Sequence, residues 1–264
     1  MRILFIGDIV GKIGRRAVQQ ILPAVKQEFS PDLVIANSEN IAHGSGTTGR
    51  TLQEMQVVGI DFFTSGNHAF DKPEANELFN APDPILIRPA NFSEGVPGQG
   101  YRIIEVGSRN ILIINLIGQV FVKGEYSNPF KKLDEILGAV DIKKLAAVFV
   151  DFHAEVTSEK RAMAHYADGR VSVMVGTHTH VPTADQQIMP GGMAYVTDVG
   201  MVGARDSVIG NSKESILLDF LNETKTKKDI PETGLVDFCA VLVDIDPQTR
   251  KAVSIIRVDR TVEV

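Results

Sequence analysis

Asp8, Glu39 with Asn40, Asn67 with His68, His153, and His178 with His180 are side chains of the kinds that ligate metals or move protons. Each group stands just past a short apolar run that reads as a buried parallel strand. Ile3 to Ile6 precede Asp8, Leu33 to Ala36 precede Glu39, and Phe62-Phe63 precede Asn67. Ala146 to Phe152 lead to His153, and Val171 to Val175 lead to His178. Open α/β sheets collect their ligands at the carboxyl ends of the strands. Metal-type residues at separate strand ends therefore predict one shared site, and their inventory suits two metal ions.

A two-metal site needs a bridging ligand, and a carboxylate with two oxygens can supply one. Glu39 is the expected bridge. Asp8 is expected on one metal, the Asn67 amide oxygen on the other, with nitrogens from His153, His178 and His180. Positions i and i+2 of an extended segment face the same way, so His178 and His180 can both point inward. Two divalent ions facing Asp8 and Glu39, with a hydroxide between them, keep a net charge of about +1, which favours a phosphate anion. Nitrogen and oxygen ligands without sulfur suit manganese, iron, cobalt or zinc. Such a pair binds phosphoryl oxygens and lowers the pKa of the water between them. His68 directly follows Asn67, so the two side chains diverge. It is expected at the site edge, where a group titrating near neutrality can protonate a leaving oxygen.

The intervening segments predict what holds these residues. Gly11 to Phe29 has apolar residues at helical spacing, namely Ile13, Ala17, Ile21 and Val25. Residues 48–58, 72–79, 156–167 and 212–222 read as further helices, and 85–88 as a short strand. Strands alternating with helices predict a parallel sheet core. The pattern then changes. Residues 101–106 and 110–116 flank Gly107-Ser108-Arg109, and 234–245 and 251–259 flank Asp246-Pro247-Gln248, so two hairpins are expected. Hairpins after βαβ units suggest a second, mixed sheet packed on the first, in a single domain over 1–264.

The 264 residues are 44% hydrophobic and 23% charged, the balance of a globular domain with a substantial core. A net charge of −6 argues against binding nucleic-acid duplexes, and so against a nuclease on long chains. It leaves room for a small phosphate substrate, because a metal brings its own positive charge. No apolar stretch approaches about 20 residues, so no membrane span is expected. The start lacks the zones of a signal peptide. The one cysteine, Cys239, cannot form an internal disulfide and is expected buried in the run Val236 to Val243. Together these features predict a cytoplasmic protein.

Several residues carry two readings. Segments 117–135 and 200–212 are the least regular, and their Phe121, Tyr126, Phe130 and Arg205 could meet a base or phosphate, or simply pack and solvate loops. His43 reads as a substrate contact or as an exposed loop residue, and His165 as packing or solvated. Asp198 could equally orient a ligand histidine or cap a turn. Gly44 to Gly49 matches G-x-G-x-x-G, but about eight residues separate it from the strand ending near Ala36, too many for a dinucleotide turn. Gly7 to Lys12 is one residue short of a P-loop, with Ile13 where Ser or Thr would bind magnesium.

Gly66-Asn67-His68 and Gly176-Thr177-His178-Thr179-His180 resemble the GNH and G-x-H-x-H blocks of the calcineurin-like metallophosphoesterases. With Asp8, Glu39 and His153 they come in that family's order over about two-thirds of the chain. The first block reads Asp8-Ile9-Val10 where Asp-x-His is usual, and Ser38-Glu39-Asn40 stands where a bridging Asp is usual. Both departures resemble the bacterial YmdB-type branch. So do Gly7 to Gly11, His153-Ala154-Glu155 with Thr157 to Lys160, and Asp206 to Gly210.

The resemblance implies a four-layer α/β/β/α sandwich of two mixed sheets. It implies one metal on Asp8, Glu39, Asn40 and His180, another on Glu39, Asn67, His153 and His178, and His68 as proton donor. It also implies iron or manganese and a phosphodiesterase acting on cyclic nucleotides, either 2′,3′-cyclic species or cyclic AMP. The expected chemistry is in-line attack by a metal-bridging hydroxide while His68 protonates the leaving oxygen. A phosphomonoesterase such as a nucleotidase is one alternative, but a monoester dianion usually needs further positive charge, and no Arg or Lys is placed on a motif. A nucleotide-sensing regulatory protein with little turnover is the other, although pure binding needs no proton donor.

Overall fold

The computed structural model describes residues 1–226 and 229–264. Its first elements are β1 (Arg2–Ile6), β2 (Asp8–Ile9), α1 (Gly11–Phe29), β3 (Leu33–Asn37), α2 (Gly49–Val58), β4 (Phe62–Thr64) and α3 (Ala75–Phe79). Then come β5 (Tyr101–Val106), β6 (Arg109–Ile117), α4 (Pro129–Ala139), β7 (Ala147–His153), α5 (Thr157–Ala167) and β8 (Val173–Thr177). The remainder is β9 (Gln187–Ile188), β10 (Ala194–Val196), β11 (Met201–Ala204), α6 (Lys213–Asn222), β12 (Leu235–Phe238), β13 (Ala240–Ile245), β14 (Ala252–Arg257) and β15 (Arg260–Glu263).

These strands make three sheets. The first has the order β14-β13-β1-β3-β4, with β1, β3 and β4 parallel and β13 and β14 antiparallel. The second has the order β5-β6-β7-β8-β10-β9, with β6, β7, β8 and β10 parallel between antiparallel edges. The third is β15-β12-β11-β2. Strands β3, β7 and β8 are buried along their whole length, as unbroken apolar runs in parallel sheets should be.

Alternation along each strand divides the core. Ile3, Phe5, Ile35 and Phe62 of the first sheet share one apolar cluster with Ile113, Phe149, Val173 and Val175 of the second. Phe5 and Phe149 meet there with ring centroids 5.3 Å apart. Truncating either to alanine should cost about 3–5 kcal/mol. Leu4, Ile6 and Val34 point the other way, into a cluster with Ile13 and Ala17 of α1 and Leu52 and Met55 of α2. Ile114, Val148 and Val150 likewise pack with Leu133 and Leu137 of α4 and Met163 of α5. The fold is mixed α/β with several mixed sheets, and its parallel strands end on one side.

Most expected elements form, with instructive exceptions. The expected second hairpin exists as β13 and β14, but it extends the first sheet. Its leading strand breaks at Cys239, where the chain leaves the third sheet and enters the first. The N-terminal strand makes the reverse crossing at Gly7, whose N–H donates to the Cys239 carbonyl at 3.0 Å. A Cβ on Gly7 would lie 1.8 Å from the Gly200 carbonyl oxygen, so the crossing needs glycine. Beyond β12, which opens the expected strand 234–245, the third sheet has no counterpart among the expected elements, because it is built from strands of two to four residues whose partners are distant in the chain. Residues 85–88 form only an isolated bridge, Phe63 to Leu86, because Pro84 and Pro89 bracket them and offer no N–H. Segment 117–135 contains the start of α4, capped by Asn128, whose side chain accepts from Phe130 N and Lys131 N. Among the described residues, no helix is long and apolar enough to cross a membrane.

Candidate metal centre

The parallel strands deliver the expected residues to one place. Ligand atoms of Glu39, His153 and His178 lie within 4.8 Å of one another, as do those of Asp8, Glu39 and His180. Glu39 belongs to both groups. Asp8, Glu39, Asn40 and His153 are buried. Asn67 joins through Oδ1, 3.2 Å from His153 Nε2. Asn40 Nδ2 donates to Glu39 Oε1 at 3.0 Å and lies 3.0 Å from His180 Nε2. Gly66 makes room for all of this. A Cβ there would meet Glu39 Oε2 at 2.1 Å and His153 Nε2 at 2.3 Å.

Each of the three histidines has its outer nitrogen held by an oxygen acceptor. Thr177 Oγ1 donates to Asp151 Oδ1 at 2.7 Å, so it accepts from His153 Nδ1, 2.9 Å away. His180 Nδ1 lies 2.9 Å from the Ile209 carbonyl oxygen, which can only accept. His178 Nε2 lies 3.0 Å from Glu155 Oε2. An imidazole whose outer N–H is spoken for can offer only its other nitrogen to a metal, as a lone pair once any proton there is displaced. Those inner nitrogens are His153 Nε2, His178 Nδ1 and His180 Nε2, the ones that face the carboxylates.

The electrostatics suit a cation. Glu39 Oε2 at 3.1 Å, His178 Nδ1 at 3.0 Å and Asn67 Oδ1 all converge on His153 Nε2, more partners than one nitrogen can satisfy. Asp8 Oδ1 is buried, accepts no hydrogen bond from the described residues and sits 3.9 Å from His180 Nε2. Burial pushes the Asp8 carboxyl up to about 6, against the pull of His180 and His153. Burial also raises Glu39, but His153 by charge and hydrogen bond, with the charges of His68 and His178, outweighs it and holds the carboxyl well below the usual range. Burial would lower His153, yet Glu39, Asp8 and Asp151 together hold it at about 9. His178 is pushed down to about 3 by burial and by His153, and stays neutral. Crowded carboxylates, an orphaned oxygen and inward-facing ring nitrogens fit a divalent metal ion of the kind that accepts mixed nitrogen and oxygen ligands.

His68 stands at the rim with its side chain 39% exposed, its Nδ1 2.7 Å from Asp71 Oδ2. Ser45 donates to the same Asp71 oxygen. The pocket, ≈ 430 Å³, is lined by Glu39, Asn40, His43, His68, His178 and His180 among others, within the size range of small-molecule sites. A neighbouring cavity of ≈ 580 Å³ shares His180 and Ile209 with it but holds none of the buried carboxylates.

The undecided residues now separate. His43 lines the pocket, and His165 is exposed on α5. Phe130 packs edge-on against Tyr166, Phe121 is 86% exposed, and Arg205 is engaged by Asp237 and Thr261. Asp198 touches no histidine ring and holds Thr179 between His178 and His180. The glycine-rich motif is a loop ending at Thr48, the cap of α2. Sequence reasoning gave no role to Asp71, Glu155, Thr177 or Asp151, although Glu155 and Thr177 stand in the motifs quoted above. Asp71 stands three residues past His68 and Glu155 two past His153, spacings that placed both within reach.

The profile of the YmdB-like protein family matches residues 4–258. A 2′,3′-cyclic-nucleotide 2′-phosphodiesterase of Bacillus subtilis (strain 168) is 44% identical over 260 residues, which cover 98% of this chain and 96% of that protein. The crystal structure of a hypothetical protein from Thermus thermophilus superposes with a TM-score of 0.91 at 38% identity, covering 100% of this chain and 99% of that one. A structure described as a novel phosphatase of Mycoplasma pneumoniae gives a TM-score of 0.92 at 35% identity, with coverage of 100% and 94%. The identity and the matched length agree with the arrangement of the centre, and the chain belongs to the YmdB-like protein family.

Proposed function

We propose that this chain is a metal-dependent phosphodiesterase acting on small cyclic nucleotides, with 2′,3′-cyclic nucleotides as the first class to test and cyclic AMP as the second. The observation that carries the reading is the set of inward imidazole nitrogens facing two buried carboxylates, with a further histidine at the rim. The Bacillus relative's activity supports the substrate class. We assign Asp8, Glu39, Asn40 and His180 to one ion and Glu39, Asn67, His153 and His178 to a second. Asn40 would ligate through its carbonyl oxygen. When bound, two divalent ions, iron or manganese, supply Lewis acidity toward the phosphoryl oxygens and lower the pKa of water.

The chain's own residues do the rest. We assign His68 the proton that passes from Nε2 to the ribose oxygen as its bond to phosphorus breaks. Asp71 occupies Nδ1 and so fixes the orientation of the ring. The three apolar clusters support the four-layer α/β/β/α reading, in one domain over 1–264. The single cysteine, buried and unpaired, supports a cytoplasmic setting.

The deciding experiment is hydrolysis of bis-p-nitrophenyl phosphate and p-nitrophenyl phosphate with manganese, with chelator, and by Glu39→Ala. Metal-dependent turnover that favours the diester and vanishes in the variant is expected, followed by turnover of 2′,3′-cyclic AMP. Preference for the monoester would turn the assignment to a nucleotidase. No turnover of either ester despite bound metal would turn it to a nucleotide-binding regulator.

A further inference from the structure

Lys160 and Asp198 form an ion pair with essentially no access to water. Lys160 is 1% exposed and Asp198 0%. Lys160 Nζ donates to Asp198 Oδ2 at 2.7 Å. Neither residue faces the pocket, and the chemistry above uses neither. Burying two charges is costly, and a pair of well-packed apolar residues often serves stability as well or better. A buried pair therefore invites a question about what its geometry holds.

It holds the turn that carries two candidate ligands. Thr179 donates to Asp198 Oδ2 twice, from Oγ1 at 2.7 Å and from the backbone N at 3.2 Å. The flanking histidines have φ of +97° at His178 and +65° at His180. Such backbone is unfavourable for residues with a Cβ and persists only where its surroundings over-determine it. The other Asp198 oxygen, Oδ1, accepts from Gly200 N at 2.8 Å. The Gly200 carbonyl accepts from Asp8 N at 3.1 Å. One carboxylate thus reaches the backbone of His178, His180 and Asp8. Hydrogen bonds to a charged acceptor are about twice as strong as neutral ones, and Lys160 Nζ is the cation seated on Asp198 in the core.

We propose that the Lys160–Asp198 pair is a positioning device for the metal centre, setting its cation affinity by holding the strained His178-Thr179-His180 turn and, through Gly200, the Asp8 backbone. This rests on the reading that His178, His180 and Asp8 hold metal.

The test is Mn²⁺ binding to chelator-stripped protein by calorimetry, with the melting temperature of the same stripped samples. The double variant K160M/D198N removes both charges without stranding either. Thr179→Val breaks only the hydroxyl link. Affinity should fall by about 10- to 100-fold in the double variant and by about tenfold in Thr179→Val, the range for lost support behind metal ligands. A pair that merely stabilised the fold would lower the melting temperature and leave affinity alone. Unchanged affinity in the folded double variant overturns the proposal. Should that variant not fold, unchanged affinity in Thr179→Val overturns it instead. A His178→Ala control separates the two levels. If it binds Mn²⁺ as the parent does, the metal assignment itself has failed and the proposal falls with it.

Discussion

The first sheet brings oxygen to the centre and the second brings nitrogen. Asp8, Glu39, Asn40 and Asn67 follow β1, β3 and β4, whereas His153, His178 and His180 end or follow β7 and β8. The two halves are also held differently. Backbone placement dominates on the oxygen side. Asp8 N donates to the Gly200 carbonyl, Glu39 N donates to Asn37 Oδ1 at 3.0 Å, and Gly66 clears the space. On the nitrogen side every ring is gripped by its far edge. The physical reason lies in the side chains. A carboxylate offers equivalent oxygens and needs only to be aimed. An imidazole has a tautomer to choose, so it needs an acceptor behind it as well.

The largest expected effect comes from the residue that serves both groups. Glu39→Ala should abolish metal binding and turnover together, a loss of several orders of magnitude, read by metal analysis beside a rate assay. Retention of full metal content would contradict the shared role. Next is His68→Gln, outside both halves, which should cost roughly 10²–10⁴ in kcat while metal stays bound. The loss should be greatest for a poor leaving group such as a ribose hydroxyl, and equal losses on p-nitrophenyl esters would count against proton donation. Thr177→Val strikes only the nitrogen half, by removing the acceptor behind His153. It should weaken metal binding by about 10- to 100-fold, with Thr177→Ser restoring it. Failure of the serine to rescue would show that the hydroxyl is not the operative feature.

The mildest test is pH. Metal-free His153 is held at about 9, so near neutrality it carries a proton that a cation must displace. Its raised value means that the competing proton is present below 9 and lost above it. Apparent Mn²⁺ affinity should therefore climb by about tenfold per pH unit between pH ~7 and ~8.5, with proton release on binding. Titration in buffers of different ionisation enthalpy measures that release directly, and pH-independent affinity would overturn the linkage.

The centre was more legible in the sequence than its supports. Asp8, Glu39, Asn67, His153 and His178 follow apolar runs, and the end of a parallel strand has a known destination. Lys160, Glu155 and Asp71 lie in a helix or a turn, where polar residues usually meet water, and only tertiary packing shows that Lys160 is buried. Helix α4 had a readable start in Asn128-Pro129, obscured by the irregular stretch before it. The third sheet left no comparable trace. Its strands β2 and β11 pair Asp8 with Met201, and nothing local to either residue anticipates the other.

The paired crossings at Gly7 and Cys239 make the third sheet a mechanical extension of the first, and Asp8 is the residue immediately beyond the joint. In the order β15-β12-β11-β2, the sheet that ends on β15 also holds the strand of Asp8, the candidate ligand of lowest number. For protein engineering, β15 is therefore part of the frame behind the proposed centre. A truncation at Arg260 or a rigid fusion there should disturb the proposed metal site through the sheet, although the sequence keeps the two ends of the chain apart.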